Sequence, residues 1–378
     1  MKYFDFAATT PIDSDALQAY TQVAKNYFGN TSSLHDEGSK AKQLLETCRQ
    51  EWATRLNIPS EGIHFTSGGT ESNLIGIISL ALSQKKLGNH IITTMGEHNS
   101  IHSAFEYLEN RGFQVTKLPL DQNGQLSLTT LKENIREDTI LLSVQIANGE
   151  IGSLQPIEAI AELVQKKKIL LHCDAVQSFG KMSASLQYVD SFSISSHKIY
   201  GPKGVGLLYI NPLRHPTPLF PGQTHEGGLR GGTVDLPSIA AFTVAGEKMM
   251  QIEQDRIKAI RQLFLTELRK QNLKIRLYQH SNPSRQLPHV VGLGLCGLQG
   301  QWVMLEANRK GFGISTGSAC SIGQQDSSKT IKAMGISDEQ AKEFIRISFS
   351  HFTSDEDVIE LAHTLKEIVD DAQHLQNR

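Results

Sequence analysis

The chain is poor in cysteine and has no long apolar runs. Its 378 residues include four cysteines, at positions 48, 173, 296 and 320, and their spacing is irregular. Such sparse thiols do not predict a disulfide framework or a zinc site, so a reducing, cytoplasmic compartment is expected. No apolar run approaches the length of a membrane span, and the first five residues lack the apolar core of a secretory signal. Neither a membrane protein nor a secreted one is expected.

The chain also lacks an excess of either charge. Lysine and arginine together number 37 and aspartate and glutamate 39, which gives a formal net charge of −2. This balance gives no support for nucleic-acid binding. The hydrophobic fraction of 39% and the charged fraction of 20% are ordinary for a globular protein. The length suits one large domain with a smaller one.

Between residues 60 and 210, short apolar runs alternate with helical patterns. Strands are predicted at 63–65, 90–93, 139–144, 168–173 and 207–210, and helices at 74–82, 101–111 and 156–167. Apolar runs this short suit strands that are buried on both faces. The alternation predicts an α/β fold with a mostly parallel sheet covered by helices.

The composition changes after residue 210. A segment rich in proline and then glycine, 212–232, precedes a helical pattern at 239–269, which predicts one long helix. We place within this helix the boundary between a large domain, residues 14–246, and a smaller α/β domain, residues 1–13 and 247–378. Residues 292–297 match GxGxxG, but no acidic residue follows at the spacing of a ribose contact, so a glycine-rich strand and turn is predicted there.

Lys198 stands directly after an apolar strand pattern and before a glycine-rich loop, in the segment SSHKIYGPKG, 195–204. This position predicts the edge of the sheet where ligands of open α/β folds bind. A partly buried lysine has a lowered pKa and becomes a nucleophile toward aldehydes, of which pyridoxal 5'-phosphate (PLP) is the natural example. An ordinary exposed lysine fits the position equally well, so other segments must decide.

Three segments provide what PLP requires. The segment TSGGTESN, 66–73, lies between a strand and a helix, where glycines and free N–H groups bind phosphate, although a simple capped loop has the same pattern. Asp174 ends a buried strand and is placed to pair with a pyridinium nitrogen, with Gln177 donating to the ring oxygen; a helix N-cap is the alternative. His98 opens a helix, where it can stack on the ring and move protons near neutral pH. His98 and His102 lack the HExxH order, so no metal site is predicted.

Cys320 and Arg346 indicate which reaction and which class of substrate the site serves. Cys320 lies among small residues in STGSACSIG, 315–323, which is typical of an accessible loop where a stabilised thiolate acts as a nucleophile. The other three cysteines lie in periodic or apolar contexts and are predicted to be buried. Arg346 lies in the strand pattern FIRIS, 344–348, where a guanidinium binds an amino-acid carboxylate or forms an internal salt bridge.

These motifs resemble those of the NifS/IscS-type cysteine desulfurases, which are class V, fold-type I PLP enzymes, over nearly the whole chain. The matching motifs are SGGTES (67–72), Asp174-x-x-Gln177, Ser195-x-His197-Lys198, Arg230-x-Gly232-Thr233, GSAC (317–320) and Ile345-Arg346. The resemblance implies PLP binding by Gly69, Thr70, His98, Asn148, Asp174, Gln177, Ser195, His197 and Lys198. It also implies a homodimer in which Thr233 reaches the phosphate of the other subunit.

The same resemblance implies the reaction. Lys198 is the Schiff-base lysine, His98 the acid/base for the thiol, and Arg346 with Asn148 binds the substrate carboxylate. L-Cysteine becomes L-alanine, and a persulfide on Cys320 passes to an acceptor protein. That acceptor serves iron–sulfur or other sulfur-requiring biosynthesis, including a dedicated client such as an enzyme of NAD synthesis.

The chain departs from the family at Gly149, and two other functions stay open. The family commonly has Asn-Asn-Glu-x-Gly where this chain has NGEIG, 148–152, so Asn148 or Gln177 is expected to take over from the second asparagine. A different PLP reaction, by a lyase or an aminotransferase, predicts that Cys320 is dispensable. A non-catalytic scaffold of a sulfur network predicts no Schiff-base absorbance.

Overall fold

The computed structural model describes residues 1–182, 186–222, 224–317 and 328–376. The strands are β1 (Lys2–Tyr3), β2 (Ile63–Thr66), β3 (His90–Thr94), β4 (Gln114–Leu118), β5 (Thr139–Gln145), β6 (Leu170–Asp174), β7 (Ser191–Ser195), β8 (Gly206–Ile210), β9 (Ile275–Tyr278), β10 (Val290–Leu295), β11 (Phe312–Gly313) and β12 (Phe344–Ser348). The helices are α1 (Ser14–Asn26), α2 (Asp36–Leu56), α3 (Gly69–Ser83), α4 (Asn99–Glu109), α5 (Leu128–Asn134), α6 (Ile157–Lys166), α7 (Leu236–Gln251), α8 (Gln254–Lys270), α9 (Gly300–Arg309), α10 (Lys329–Ala333), α11 (Asp338–Lys342) and α12 (Asp355–Gln376).

A large sheet occupies the centre of residues 63–210, with the strand order β2-β8-β7-β6-β5-β3-β4. Strands β7, β6, β5, β3 and β4 run parallel, and β8 is antiparallel to both of its neighbours. Leu141 and Leu142, which are adjacent in β5, belong to different apolar clusters because side chains alternate between the two faces of a sheet. Both faces are therefore covered, and the prediction of a mostly parallel α/β sheet is confirmed.

The direction of the strands gathers five predicted loops at one edge of this sheet. Asp174 ends β6 and Ser195 ends β7, while His98 follows β3 and Asn148 follows β5. Strand β2 is antiparallel to β8, which is antiparallel to β7, so Thr66 at the end of β2 reaches the same edge. Ligands of open α/β sheets bind outside these carboxyl ends.

A three-stranded sheet in the order β12-β10-β9 and a short parallel pair of β1 with β11 lie in the rest of the described chain. They share an apolar cluster that includes Phe4, Phe264 and Ile345. The GxGxxG segment begins inside β10, so the predicted glycine-rich strand is confirmed. A Cβ at Gly292 would lie 2.9 Å from the Phe344 ring, so close packing explains that glycine. The domain boundary at residues 246 and 247 stays a prediction.

The prediction of one long helix over 239–269 is wrong. Helix α7 ends at Gln251, and α8 begins at Gln254. Between them Ile252 is extended, with φ −70° and ψ 126°, and packs against the cluster of the large sheet and that of the small sheet. The chain turns because this side chain lies between two cores, and helical periodicity alone does not reveal that contact.

Two of the three cysteines predicted to be in the core are buried, and one is not. Cys48 and Cys173 are buried, and burial raises the pKa of both thiols. Cys296 is half-buried because it directly follows β10, where the chain leaves the sheet. None of the helices in the described ranges combines the length and the apolar composition that a membrane crossing requires.

Glu226 ties the glycine-rich segment after β8 to the large sheet. Its Oε1 and Oε2 each accept a hydrogen bond of 3.0 Å from the Arg49 guanidinium, and Oε2 also accepts one of 2.7 Å from the Phe65 N–H. The Glu226 side chain is 2% exposed and that of Arg49 is 12% exposed. The backbone of Glu226 is left-handed, with φ +49°, and these contacts hold it there.

We expect the substitution Glu226→Ala to lower the free energy of unfolding by about 3 kcal/mol, because the buried Arg49 guanidinium loses its two-point partner and keeps only the half-exposed Glu46 as a counter-ion. Urea denaturation of the purified protein measures this loss. Glu61 is exposed, so Glu61→Ala is the matched control and should change stability by less than about 0.5 kcal/mol. Equal stability of the two variants would contradict the anchoring role of Glu226.

Candidate active site

A cavity of about 770 Å³ opens at the carboxyl edge of the large sheet. The predicted site residues that line it are Gly69, Thr70, His98, Asn148, Asp174, Gln177, Ser195, His197, Lys198 and Arg346. Thr233 is exposed and is not part of the lining. Cys320 lies outside the described residues. The structure thus brings together ten of the residues that the sequence predicted, nine from five loops and Arg346 from β12, in one cavity.

Lys198 lies on a short turn directly after β7. Its Nζ donates hydrogen bonds of 2.7 Å to the carbonyl oxygens of Ala7 and Ala8. The turn is fixed to the same N-terminal segment, because the Thr10 N–H and hydroxyl both donate to the His197 carbonyl. The lysine is half-buried, which excludes the alternative of an ordinary exposed lysine.

The first turn of α3 forms an anion-binding end of the cavity. Gly68 is its N-cap, with φ +146°, and no side chain caps the helix. A Cβ at Gly69 would lie 2.7 Å from the Val176 side chain, and one at Gly206 would lie 2.6 Å from the Gly68 Cα. Glycine is required at these positions, and the helix N-terminus is left with backbone N–H groups that favour a phosphate.

His197 and Thr233, which the sequence predicts to bind the phosphate, lie in different surroundings. The His197 ring contacts the Thr9 hydroxyl at 3.1 Å, and burial, assisted by the cations Lys198 and Lys203, lowers the pKa of His197 to about 4. His197 is therefore a neutral hydrogen-bonding group at neutral pH. Thr233 follows Arg230, whose Nε contacts a Glu71 oxygen at 3.0 Å. Its role toward a partner's phosphate stays a prediction.

Asp174 is held by a network that the sequence did not reveal. Its Oδ2 accepts a hydrogen bond of 2.8 Å from Asn73 Nδ2, and its Oδ1 accepts one of 2.9 Å from the Val176 N–H. Asn73 also donates to Ser100 Oγ at 3.0 Å, and its Oδ1 contacts His172 Nε2 at 3.1 Å. A turn and not a helix follows β6, so the helix N-cap alternative for Asp174 does not apply. The carboxylate is fixed at the cavity wall.

His98 is the N-cap of α4, as the sequence predicted. The Ser100 N–H donates to His98 Nδ1 at 3.2 Å, so the proton of the neutral ring lies on Nε2. Burial lowers the pKa of His98; the Asp174 carboxylate opposes this shift, while Lys198 and Lys329 add to it. The structure therefore gives a neutral imidazole at the cavity. No group of three or more metal-binding His, Cys, Asp or Glu side chains occurs in the described part of the chain.

Arg346 forms an internal salt bridge, which is one of the two alternatives that the sequence left open, and keeps donors for the other, an amino-acid carboxylate. Its Nη2 forms an ion pair of 2.7 Å with Asp5 Oδ1, which is the internal salt bridge. Its Nη1 donates to the Gly149 carbonyl at 3.0 Å, whereas its Nε is buried without a hydrogen-bond partner among the described residues. The guanidinium lines the cavity and keeps unused donor capacity for a carboxylate.

Gly149 makes room for Gln177. A Cβ at Gly149 would lie 2.9 Å from Gln177 Nε2. This nitrogen donates to the Ala7 carbonyl at 2.9 Å, and Gln177 Oε1 is buried without a partner among the described residues. Asn148, in contrast, uses its amide within the protein: Nδ2 donates to Thr330 Oγ1 at 2.9 Å, and Oδ1 accepts from the N–H groups of residues 150 and 151. Gln177 Nε2 has a second N–H to donate, whereas Asn148 Nδ2 also donates to the Gly96 carbonyl at 3.4 Å, so Gln177 is the better candidate to replace the missing donor.

Two glutamates in the cavity wall, the buried Glu97 and the half-buried Glu150, were missed by sequence reasoning. Glu97 accepts hydrogen bonds from Thr94 Oγ1 at 2.7 Å and from the Gln145 N–H at 2.9 Å, and so joins the ends of β3 and β5. Burial raises the pKa of Glu97 to about 8, so this group is mostly protonated at pH 7. The only sequence signal was its position directly before His98.

Glu150 contacts both residues that flank positions 318–327. Ser328 Oγ donates to Glu150 Oε2, and a Cβ at Gly317 would lie 3.0 Å from the same oxygen. The backbone of Ser315 pairs with that of Arg346 through two hydrogen bonds of 3.1 and 2.7 Å. Burial raises the pKa of Glu150. The carboxyl group thus binds one end of the segment that contains Cys320 and lies close to the other end.

For the predicted transfer of sulfur to Cys320, we expect Glu150→Ala to slow the step by about tenfold, because Ser328 loses its hydrogen-bond partner and the segment that begins after Gly317 is less well positioned. The visible absorbance of the bound cofactor should not change. Single-turnover alanine formation measures the rate. Glu158→Ala, at an exposed position of α6, is the matched control. A wild-type rate in the Glu150 variant would refute this positioning role.

Comparisons with known proteins agree with this geometry. Residues 2–361 match the family model described as aminotransferase class-V. A putative cysteine desulfurase NifS of Bacillus subtilis (strain 168) is 45% identical over 369 residues, which cover 96% of this chain and 93% of that protein.

Two solved structures also resemble the fold closely. A NifS-like protein superposes with a TM-score of 0.89 at 31% identity, covering 98% of this chain and 99% of the other. A structure described as SspA in complex with cysteine has a TM-score of 0.82 at 31% identity and covers 94% of this chain and 100% of the other. The chain therefore belongs to the class-V aminotransferase family, among the PLP enzymes of NifS/IscS type.

Proposed function

We propose that this chain is a PLP-dependent cysteine desulfurase that converts L-cysteine to L-alanine and collects the sulfur as a persulfide on Cys320. The observation that carries the proposal is a single cavity with a lysine, a fixed carboxylate, a buried guanidinium and an uncapped helix N-terminus in its wall. Relatives named as cysteine desulfurases match nearly the whole chain and support the same function.

The residues in the cavity fit PLP. The N-terminus of α3 offers N–H groups for the phosphate, and Gly69 leaves the space that a Cβ would fill. Asp174 offers a carboxylate for the pyridine nitrogen, and the Lys198 amine is available for the aldehyde. The unpartnered Gln177 Oε1 marks a polar position in the wall that a bound molecule can satisfy. When bound, PLP supplies a protonated ring that withdraws electrons from the substrate.

Each side chain has a distinct part in the reaction. Arg346 binds the substrate carboxylate and so fixes the orientation of L-cysteine, whereas the predicted assistance from Asn148 would require its amide to leave Thr330. The Lys198 amine removes the proton from the substrate Cα and returns a proton later. The Asp174 carboxylate keeps the ring nitrogen protonated. His98, neutral with its proton on Nε2, exchanges a proton with the substrate thiol.

Cys320 takes the sulfur. Its thiolate attacks the sulfur of L-cysteine, a sulfur–sulfur bond forms, and the Cβ–sulfur bond of the substrate breaks. The electron pair of that bond stays with the substrate carbon skeleton, which takes up protons and leaves as alanine. The ordinary pKa of a thiol is about 8.5, so the thiolate requires local stabilisation.

The proposal extends to the assembly and the cell. Thr233 is exposed and lies three residues after Arg230, which pairs with Glu71 in the cavity wall, and this supports a homodimer in which each subunit contributes Thr233 to the other. An acceptor protein that takes the persulfide and a cytoplasmic location complete the proposal.

Incubation of the purified protein with L-cysteine and a thiol reductant tests this function. We expect alanine and sulfide in equal amounts, and no reaction with D-cysteine, because Arg346 and Lys198 fix one hand of the substrate. Pyruvate or a keto acid in place of alanine would instead support a lyase or an aminotransferase. A protein without visible cofactor absorbance would support the non-catalytic scaffold.

A further inference from the structure

A second lysine lies buried behind Lys198. Lys181 follows the turn after β6, is 6% exposed, and its Nζ has no hydrogen-bond partner among the described residues. The turn is tightly packed, since a Cβ at Gly180 would lie 2.3 Å from the Met249 side chain. A buried ammonium without a partner costs several kcal/mol, so an unpartnered lysine requires an explanation.

Two other side chains share this lack of partners. Both ring nitrogens of His289 and the Oε1 of Gln254 are buried without a hydrogen-bond partner in the described part of the chain. Gln254 is held in place through its Nε2, which donates to the Gly180 carbonyl at 3.1 Å. The three side chains come from a loop, from the start of α8 and from the residue before β10.

These groups line one small chamber together with Lys198. The chamber has a volume of about 10 Å³, which is room for about one water molecule. Its remaining lining is largely apolar and consists of Phe6, Thr10, Tyr200, Met249, Ile257 and Phe349. A water molecule there would find a donor in Lys181, an acceptor in Gln254 Oε1 and either kind of group in a neutral His289. This number of partners is typical of a buried water.

The charged side chains that act on Lys181 and His289 are all cations. Burial, assisted by the neighbouring cations Lys198 and Arg346, lowers the pKa of Lys181 to about 7. Burial also holds the pKa of His289 well below its usual range, and Lys181, Arg346, Lys198 and Arg261 act in the same direction. The repulsion between two cations is mutual, so a charge on Lys181 disfavours a charge on Lys198 as much as the reverse.

We propose that Lys181, His289 and Gln254 hold one water molecule in this chamber, and that Lys181 acts through it as a positioning residue that keeps the amine of Lys198 unprotonated. The proposal rests on the function proposed above for Lys198. A nearby cation is an established way to activate a lysine amine as a nucleophile and a base. The pair shares protons, so its titration belongs to both lysines together.

A crystal structure of the wild-type protein tests the water site directly. We expect one ordered water molecule within hydrogen-bond distance of Lys181 Nζ and Gln254 Oε1. An empty chamber, or a direct contact of Lys181 with an acidic side chain, would overturn the proposal. This test does not depend on the folding of any variant.

A pH titration of the visible absorbance of the PLP-loaded protein, without substrate, tests the coupling. We expect Lys181→Met to raise the midpoint by about one pH unit, because a removed cation makes protonation at Lys198 easier. Lys248→Met is the matched control, since the Lys248 side chain is 44% exposed, pairs with Asp15 at 2.5 Å and does not line the chamber. Its midpoint should equal that of the wild type.

The outcomes separate this proposal from the proposed function. A pH-dependent band in the wild type with the same midpoint in Lys181→Met would overturn the role of Lys181 and leave the PLP enzyme intact. No band in the wild type would overturn both. We further expect Gln254→Leu, which removes an acceptor for the water, to shift the midpoint in the same direction as Lys181→Met; an unshifted midpoint would refute the participation of the water.

Discussion

Replacing Cys320 by alanine is expected to lower the transfer of sulfur from L-cysteine by about 10³-fold or more, while the cofactor stays bound. The thiolate is the group that forms the new bond to sulfur, and no neighbouring hydroxyl in the segment 315–323 can replace it, because a serine side chain is a far weaker nucleophile at neutral pH. Alanine formation and visible absorbance, measured on the same sample, check both parts of the prediction.

The control for this substitution is Cys296→Ala. Cys296 is half-buried after β10 and does not line the active-site cavity. This variant should retain the wild-type rate. Full sulfur transfer in the Cys320 variant would show that another group accepts the sulfur and would favour a different reaction on the same scaffold.

The substitution Asp174→Asn should lower the rate of alanine formation by a factor on the order of 10³, because a neutral amide does not keep the ring nitrogen protonated. The new amide also conflicts with its surroundings. Both Asp174 oxygens now accept hydrogen bonds, one from Asn73 Nδ2 and one from the Val176 N–H. An asparagine would place an N–H against one of these donors.

Steady-state kinetics and the absorbance spectrum measure this effect. Asp13→Asn is the matched control, because Asp13 caps α1 by accepting from the Asp15 N–H at 2.8 Å, and asparagine caps a helix equally well. A reduction of less than about tenfold in the Asp174 variant would contradict the assignment of its carboxylate to the ring nitrogen.

The sequence was sufficient to predict the site residues that lie at the carboxyl ends of parallel strands. Asp174, Ser195, His98 and Asn148 each follow an apolar run, and parallel strands bring their carboxyl ends to one edge. The glycines at the start of α3 were predicted equally well from the sequence. Gly68 has a φ of +146°, a backbone conformation that other residues rarely adopt. These local signals predicted nine of the residues that line the cavity.

The sequence was insufficient where contacts join distant segments. Asn73 reaches Asp174 across 101 positions, and Arg346 pairs with Asp5 across 341. Lys181 belongs to no sequence motif. Only the fold places it beside Lys198 in one chamber. The break between α7 and α8 also depends on contacts with distant segments. Ile252 packs against two separate apolar clusters, and the helical periodicity of the sequence does not distinguish them.

Mass spectrometry after a single turnover tests the central claim most directly. The PLP-loaded protein is mixed with one equivalent of L-cysteine without reductant, digested and analysed, and alanine is measured in the same sample. We predict that the peptide containing Cys320 gains the mass of one sulfur atom in proportion to the alanine formed. Alanine without that added sulfur on Cys320, or added sulfur on another cysteine, would contradict the account.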